Sequence, residues 1–195
     1  MDQQPPQTKH KVVGFFSDTF QTFLMALAVF LVIYFFIARP FQVSGDSMFP
    51  TYKDREYIFT NILGIKLGHI KRGDVIVFKA PIEDDKDFIK RVIGLPGDTV
   101  ELKGGYVYVN GQKLDESAYL SSDVRTYGGT FLADNFEKKV PAGSVFVLGD
   151  NRSYSSDSRE WGLLQEKAII GKSFFVYWPI SDAHVVSNPF TSATK

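Results

Sequence analysis

The chain has 195 residues, with 22 basic and 22 acidic side chains and a formal net charge of zero. That balance leaves no basic field to hold phosphates, so no nucleic-acid partner is expected. Hydrophobic residues make up 44% and charged residues 23%, enough to bury a core and too apolar for global disorder, and the absence of cysteine excludes disulfides, thiolate metal sites and a Cys nucleophile.

Only four charged side chains, Asp2, Lys9, Lys11 and Asp18, fall in the first 38 residues, and the twenty residues from Thr19 to Ala38 carry no formal charge. As a helix such a run is about 30 Å long, the thickness of a hydrocarbon core. This predicts a single transmembrane helix over 19–38 in contact with the lipid bilayer, after a short tail over 1–18. A signal peptide competes with that reading, as does a buried core helix. The apolar region of a signal peptide, however, runs about 7 to 15 residues and ends in a small-x-small site. Ile37-Ala38-Arg39-Pro40 is a poor one. Lys9 and Lys11 precede the span while Arg39, Lys53 and Arg55 follow it, so the positive-inside count does not decide orientation.

From Glu56 onward the texture changes to short strands with turn punctuation, predicting one β-rich domain over 39–195. Residues 57–59, 75–78, 145–148 and 174–178 are apolar runs of strand length, rich in β-branched and aromatic side chains. Thr99–Lys103, Tyr106–Val109 and Gln112–Leu114 are joined by Gly104-Gly105 and Asn110-Gly111, both hairpin turn types, so three antiparallel strands follow in succession. Residues 165–169 read as briefly helical. Residues 115–142 are polar and weakly periodic, and read as a long excursion or small cap on the sheet.

The three histidines, His10, His69 and His184, sit in no ligand-spaced motif. No metal or cofactor is expected, and a Ser-His-Asp triad has little support. A serine nucleophile would need another base. Three polar stretches stand out: Val43-Ser44-Gly45-Asp46-Ser47-Met48-Phe49-Pro50, Phe88-Ile89-Lys90-Arg91-Val92-Ile93-Gly94-Leu95-Pro96-Gly97-Asp98, and Gly149-Asp150-Asn151-Arg152-Ser153-Tyr154-Ser155-Ser156-Asp157-Ser158-Arg159. Taken singly each has a bland account: a turn serine bonded to its own backbone, an edge lysine that discourages strand pairing, a polar turn with an ion pair. If 88–93 is a strand, Phe88, Lys90 and Val92 share one face, and the ammonium stands between two apolar side chains.

In this order and spacing, with Arg72-Gly73-Asp74-Val75-Ile76-Val77-Phe78 between, these blocks resemble bacterial type I signal peptidases, membrane-bound Ser-Lys proteases that remove signal peptides from exported proteins. The resemblance runs from the apolar segment through Gly162. It implies a mainly β, antiparallel-sheet catalytic domain behind one membrane helix, on the extracytoplasmic side of the cell membrane, with residues 1–18 cytoplasmic and preproteins as substrates. It makes Ser47 the nucleophile and Lys90 the general base. Ser155 would hold the lysine amine, Asp157 and Arg159 would form a supporting ion pair, and Met48 would pack beside the dyad. Some family members carry a serine at the position of Gly45 that assists the oxyanion hole. Here the oxyanion must rely on backbone N–H, that of Ser47, or on Ser44.

A lysine takes a proton from serine only when neutral, and its ordinary pKa is about 10.4. Bringing it near 8 costs the charged form about 3 to 4 kcal/mol, which burial supplies if no carboxylate restores the charge. Asp87 would point to the other face of the strand, and Asp157 would be occupied by Arg159. Ser47 follows Ala38 by nine residues, which span at most about 30 Å, so the nucleophile would stay near the bilayer surface, where a membrane-inserted signal peptide presents its cleavage site. Phe41, Phe49 and Tyr52 flank it and face either the interface or the core. The substrate is expected to lie extended along Gln42, Val43, Ser44 and Gly45 and along Asp87, Phe88 and Ile89, with small side chains at the two subsites before the cut. Two alternatives remain: a self-cleaving repressor using the same dyad on a related β-fold, and a non-catalytic membrane-anchored binding domain. A Ser-x-x-Lys arrangement of β-lactamase type is excluded, because Met48-Phe49-Pro50 follows Ser47.

Overall fold

The computed structural model describes residues 8–32, 34, 38–68, 70–82 and 85–190. The chain divides into two units, Met1–Ile37 and Ala38–Lys195. The first contains helix α1, Thr8–Val32. The helix begins ahead of Thr19, because the charged residues that precede the apolar run, Lys9, Lys11 and Asp18, do not oppose helical backbone. Among the described residues no helix is long and apolar enough to cross a membrane. Residues 33 and 35–37 of the expected span and residues 1–7 of the expected tail lie outside the described residues, as does His69. Ala38, read from sequence as the last residue of the span, instead opens a strand.

The second unit is mainly antiparallel β. Its elements are β1 (Ala38–Gln42), β2 (Tyr57–Asn61), α2 (Leu63–Leu67), β3 (Val75–Lys79), β4 (Asp87–Gly94), β5 (Thr99–Lys103), β6 (Tyr106–Val109), β7 (Gln112–Lys113), β8 (Glu137–Lys139), β9 (Ser144–Leu148), α3 (Ser158–Trp161), β10 (Leu164–Gln165), β11 (Ile169–Trp178) and β12 (His184–Val185). The large sheet runs β1-β2-β11-β3-β4-β9-β10, with β12 on β11, and the small one runs β7-β6-β5-β8.

The small sheet follows from its turns. Gly104, Gly105, Asn110 and Gly111 all have positive φ, the backbone that a two-residue type I′ connection demands. Hairpin pairing then sets Val100 against Val109 and Leu102 against Val107, and all four side chains enter one core cluster with Ile93, Leu132, Phe146 and Leu148. In β3, Val75 and Val77 pack with Val43, Met48, Tyr52 and Ile58, while Ile76 and Phe78 pack with Val92, Val145 and Val147. Both faces of that strand are covered, which is why it reads as an uninterrupted apolar run rather than an alternating one.

Two expectations change. The brief helix expected over 165–169 is a single 3₁₀ turn, Glu166–Ala168, bounded by Gln165 at the end of β10 and Ile169 at the start of β11. That strand also starts well before residue 174. Within 115–142 the excursion holds β8, whose three residues pair with Thr99–Glu101, and it sends Leu132 and Val140 into the core below the small sheet.

Candidate active site

Strand β4 carries Lys90. Across the β3 pair it faces Ile76, with Phe88 facing Phe78 one pleat away. Lys90 is 4% exposed, and its Nζ lies 5.3 Å from the centre of the Phe88 ring. Ser47 sits on the loop between β1 and β2. That loop is closed at its base by antiparallel bonds between Val43 and the pair Arg55 and Glu56. It is tightened by Phe49 N donating to Asp46 O and Tyr52 N to Met48 O. Gly45 has φ +86° and donates its N–H to Asp54 Oδ1 at 2.7 Å. Tyr52 is fully buried, its hydroxyl donating to Ser173 Oγ at 2.7 Å, so of the two settings open to it the core is the one observed. Met48 is buried beside it, Phe41 packs partly buried against the same cluster, and Phe49 remains 49% exposed.

The fold brings these two strand neighbourhoods together. Lys90 Nζ lies 2.7 Å from Ser47 Oγ and 2.9 Å from the carbonyl oxygen of Ile89. Burial pulls the Lys90 amine from 10.5 down to about 8, against the opposing pull of Asp157 and Asp150. Those carboxylates do not outweigh the burial, and each is already held. Asp157 accepts from Arg159 Nε at 2.8 Å and Nη2 at 2.9 Å, and from the N–H of Gly149. Asp150 accepts from Arg91 Nε at 2.8 Å and Nη2 at 2.6 Å, and from Thr51 Oγ1 at 2.6 Å. Arg91 and Asp150 are each 1% exposed.

Ser155 departs from its expected partner. Among the described residues its buried Oγ has no hydrogen-bond partner, and the Lys90 amine bonds Ser47 and the Ile89 carbonyl instead. Ser155 is nonetheless beside the dyad: a Cβ added at Gly149 would lie 2.5 Å from both Ser155 Cβ and the Ser47 carbonyl oxygen. Gly149 is therefore the point where the third polar stretch closes on the serine loop. Asn151 completes the closure, its N–H donating to Ser47 O at 3.0 Å and its Nδ2 to Asp46 O at 3.1 Å. Gly149, Asp150, Asn151, Arg91 and Thr51 were assigned no role from sequence. The signal was present in Gly149-Asp150-Asn151-Arg152 and in the arginine next to Lys90, but motif order does not say which groups meet.

A groove of about 240 Å³ opens at the dyad, lined by Gln42, Val43, Ser44 and Ser47 on one side and Asp87, Phe88, Ile89 and Lys90 on the other. Ile58, Val77 and Phe41 contribute apolar walls, and Ser156, not anticipated from sequence, borders it. The β3 partner covers one edge of Asp87–Lys90, while β9 pairs with β4 only from Arg91 onward. Asp87 forms an ion pair with Lys79 at 2.8 Å. His184 is exposed and its Nδ1 lies 2.7 Å from Asp182 O; it does not line the groove.

A protein-family model described as signal peptidase, peptidase S26, matches residues 16–178. Signal peptidase IB of Staphylococcus aureus (strain MRSA252) is 41% identical over 181 residues, covering 85% of this chain and 93% of that protein. Signal peptidase I S of Bacillus subtilis (strain 168) is 43% identical over 164 residues, covering 82% and 87%. The crystal structure of a signal peptidase I from Enterococcus faecalis V583 is 32% identical, covers 53% of this chain and 95% of that one, and superposes with a TM-score of 0.43.

Proposed function

Since the chain belongs to the signal peptidase family, peptidase S26, and is a serine endopeptidase of signal-peptide processing, we propose that Ser47 is its nucleophile and Lys90 its general base. The observation that carries this is the 2.7 Å approach of Lys90 Nζ to Ser47 Oγ in a site that lowers the amine to about 8. Membership of this family sets aside the self-cleaving repressor and the non-catalytic binding domain.

In the proposed reaction the neutral Lys90 lone pair takes the Ser47 proton as Oγ attacks the scissile carbonyl carbon. The carbonyl π pair moves to oxygen, and the Ser47 N–H, which donates to none of the described residues, supplies a hydrogen bond to that oxyanion. On collapse the C–N bond breaks and the Lys90 ammonium returns the proton to the departing amine, leaving an ester on Ser47. Water, deprotonated by the same amine, then cleaves the ester and regenerates both groups. Throughout, Arg91 and Arg159 hold Asp150 and Asp157 in ion pairs, and the upward pull of these carboxylates on Lys90 does not outweigh burial.

The substrate would lie extended between Gln42–Ser44 and Asp87–Ile89, adding a strand to the β4 edge that β9 leaves uncovered. The groove's modest volume favours small side chains just before the cut. The apolar run of residues 19–38 would anchor the protein in the cell membrane, with the catalytic unit outside the cytoplasm. Supporting this, Phe20, Phe23, Met25 and Phe30 on α1 are all more than half exposed, an apolar surface that lipid satisfies and water does not.

The test uses the full chain in detergent with a preprotein whose cleavage site carries alanine at both subsites. Lys90→Arg retains charge and bulk but cannot lose its proton at working pH, so it and Ser47→Ala abolish cleavage. Wild-type turnover in either variant would sink the assignment.

A further inference from the structure

We propose that Glu116 and Tyr119, at the start of the 115–142 excursion, are positioning residues that hold the Gly149–Arg152 turn, and through it Ser47, in register with Lys90. The inference rests on the dyad reading above.

Tyr119 lays its ring 4.1 Å from the guanidinium carbon of Arg91 and donates its hydroxyl to Glu116 Oε1 at 2.6 Å. Its ring also meets that of Phe190 edge to face at 6.2 Å. The two Glu116 oxygens accept both terminal nitrogens of Arg152, at 2.6 and 3.1 Å, in a forked pair that fixes orientation as well as distance. Arg152 then turns Nε to the carbonyl oxygen of Gly149 at 2.9 Å and Nη1 to Thr126 Oγ1 at 2.5 Å.

Two arginines therefore grip one short turn, and one short segment bears on both. Arg91 holds Asp150 and Arg152 holds Gly149, while Tyr119 covers the first guanidinium and Glu116 forks the second. The turn so held is the one that packs Gly149 against the Ser47 carbonyl and sends Asn151 N–H to the same oxygen. From Glu116 to the nucleophile's own backbone the path is a chain of bonds, each within normal hydrogen-bonding range.

Charge arrangement points the same way. Three buried guanidiniums, Arg91, Arg152 and Arg159, face three carboxylates, Asp150, Glu116 and Asp157. Among the described residues, Lys90 is the cation of this cluster that no carboxylate bonds. Arg152 is 3% exposed, so without Glu116 its charge has no solvent to turn to. Asp150 also acts electrostatically on Arg152, but it is already claimed by Arg91 and Thr51. Competition for Asp150 would pull the turn away from the serine loop. The groove walls, Gln42–Ser44 and Asp87–Ile89, are not part of this path, so binding and turnover should separate.

The experiment measures kcat and KM for Glu116→Gln, Tyr119→Leu and Tyr119→Phe in the detergent-solubilised full chain, with thermal unfolding and Ser47→Ala alongside. A displacement approaching 1 Å costs about 100-fold, so Glu116→Gln and Tyr119→Leu are expected to lose about 10- to 100-fold in kcat with KM within about twofold. Tyr119→Phe, which keeps the ring on Arg91, recovers most of that loss. Folded Glu116→Gln and Tyr119→Leu proteins with wild-type kcat, or with KM raised and kcat kept, would overturn the brace. If Tyr119→Leu does not fold, Glu116→Gln decides alone. An inactive Ser47→Ala beside unaffected brace variants refutes only this inference, whereas an active Ser47→Ala refutes the dyad itself.

Discussion

Replacing Lys90 with methionine removes the amine while keeping an unbranched chain of similar length. A lysine lowered from 10.5 to about 8 carries about 3 kcal/mol of differential cost on its charged form. The folded protein bears that cost below pH 8, where the amine is protonated in both folded and unfolded chains. Between about pH 8 and 10.5 the unfolded chain still holds the proton and the folded one has released it, so folding stability rises with pH. For this group the gain from pH 7 to pH 9.5 is about 2 kcal/mol. Lys90→Met has no such gain, so the difference in unfolding free energy between the two proteins should change by that amount, wild type improving. Other titrating groups are common to both chains and cancel. Urea unfolding of the full chain in detergent, followed by Trp161 and Trp178 fluorescence, supplies the curves. A difference that stays flat between these pH values, or that moves toward the methionine variant, would refute the buried, uncompensated amine.

Three further outcomes follow from the same geometry. Gly149→Ala places a methyl group 2.5 Å from the Ser47 carbonyl oxygen, and because the serine loop must yield, kcat/KM should fall about 100-fold in a preprotein cleavage assay; wild-type activity would contradict the contact. Arg91→Met leaves Asp150 buried without its ion partner and should cost about 3 to 5 kcal/mol in urea unfolding, a loss under about 1 kcal/mol being incompatible with that burial. With wild-type enzyme, kcat/KM should climb about tenfold per pH unit on the acid side and level off near pH 8 as Lys90 loses its proton; a profile flat from about pH 6 to pH 9 would exclude this amine as the base.

Local turn chemistry made the small sheet legible: Gly104-Gly105 and Asn110-Gly111 admit few other backbones. The apolar runs at 75–78 and 145–148 were equally plain, since strands buried on two faces leave no polar residue between apolar ones. By contrast β8 reads Glu-Lys-Lys with every side chain exposed, and nothing in that composition announces a strand; its pairing with β5 is imposed from outside. In the site, the alternation that sets Lys90 between Phe88 and Val92 was visible. The 43 residues separating it from Ser47 were bridged only by motif resemblance, because no periodicity reports a tertiary approach. Arg91 and Asp150 were overlooked for the same reason. Charged residues look solvated in a sequence until the fold buries them as a pair. Tyr52 shows the converse ambiguity, an aromatic in a polar loop whose hydroxyl finds Ser173 across the sheet.

The central claim is that one buried amine in the folded enzyme gives up its proton near pH 8, well below the ordinary lysine value of about 10.4. It is tested most directly by ¹³Cε-lysine NMR titration of the full chain, with the Lys90 signal assigned by its absence from Lys90→Met. The account predicts a transition near 8. A Lys90 signal that stays in its protonated position until about pH 10.4, like an ordinary solvated lysine, would contradict it.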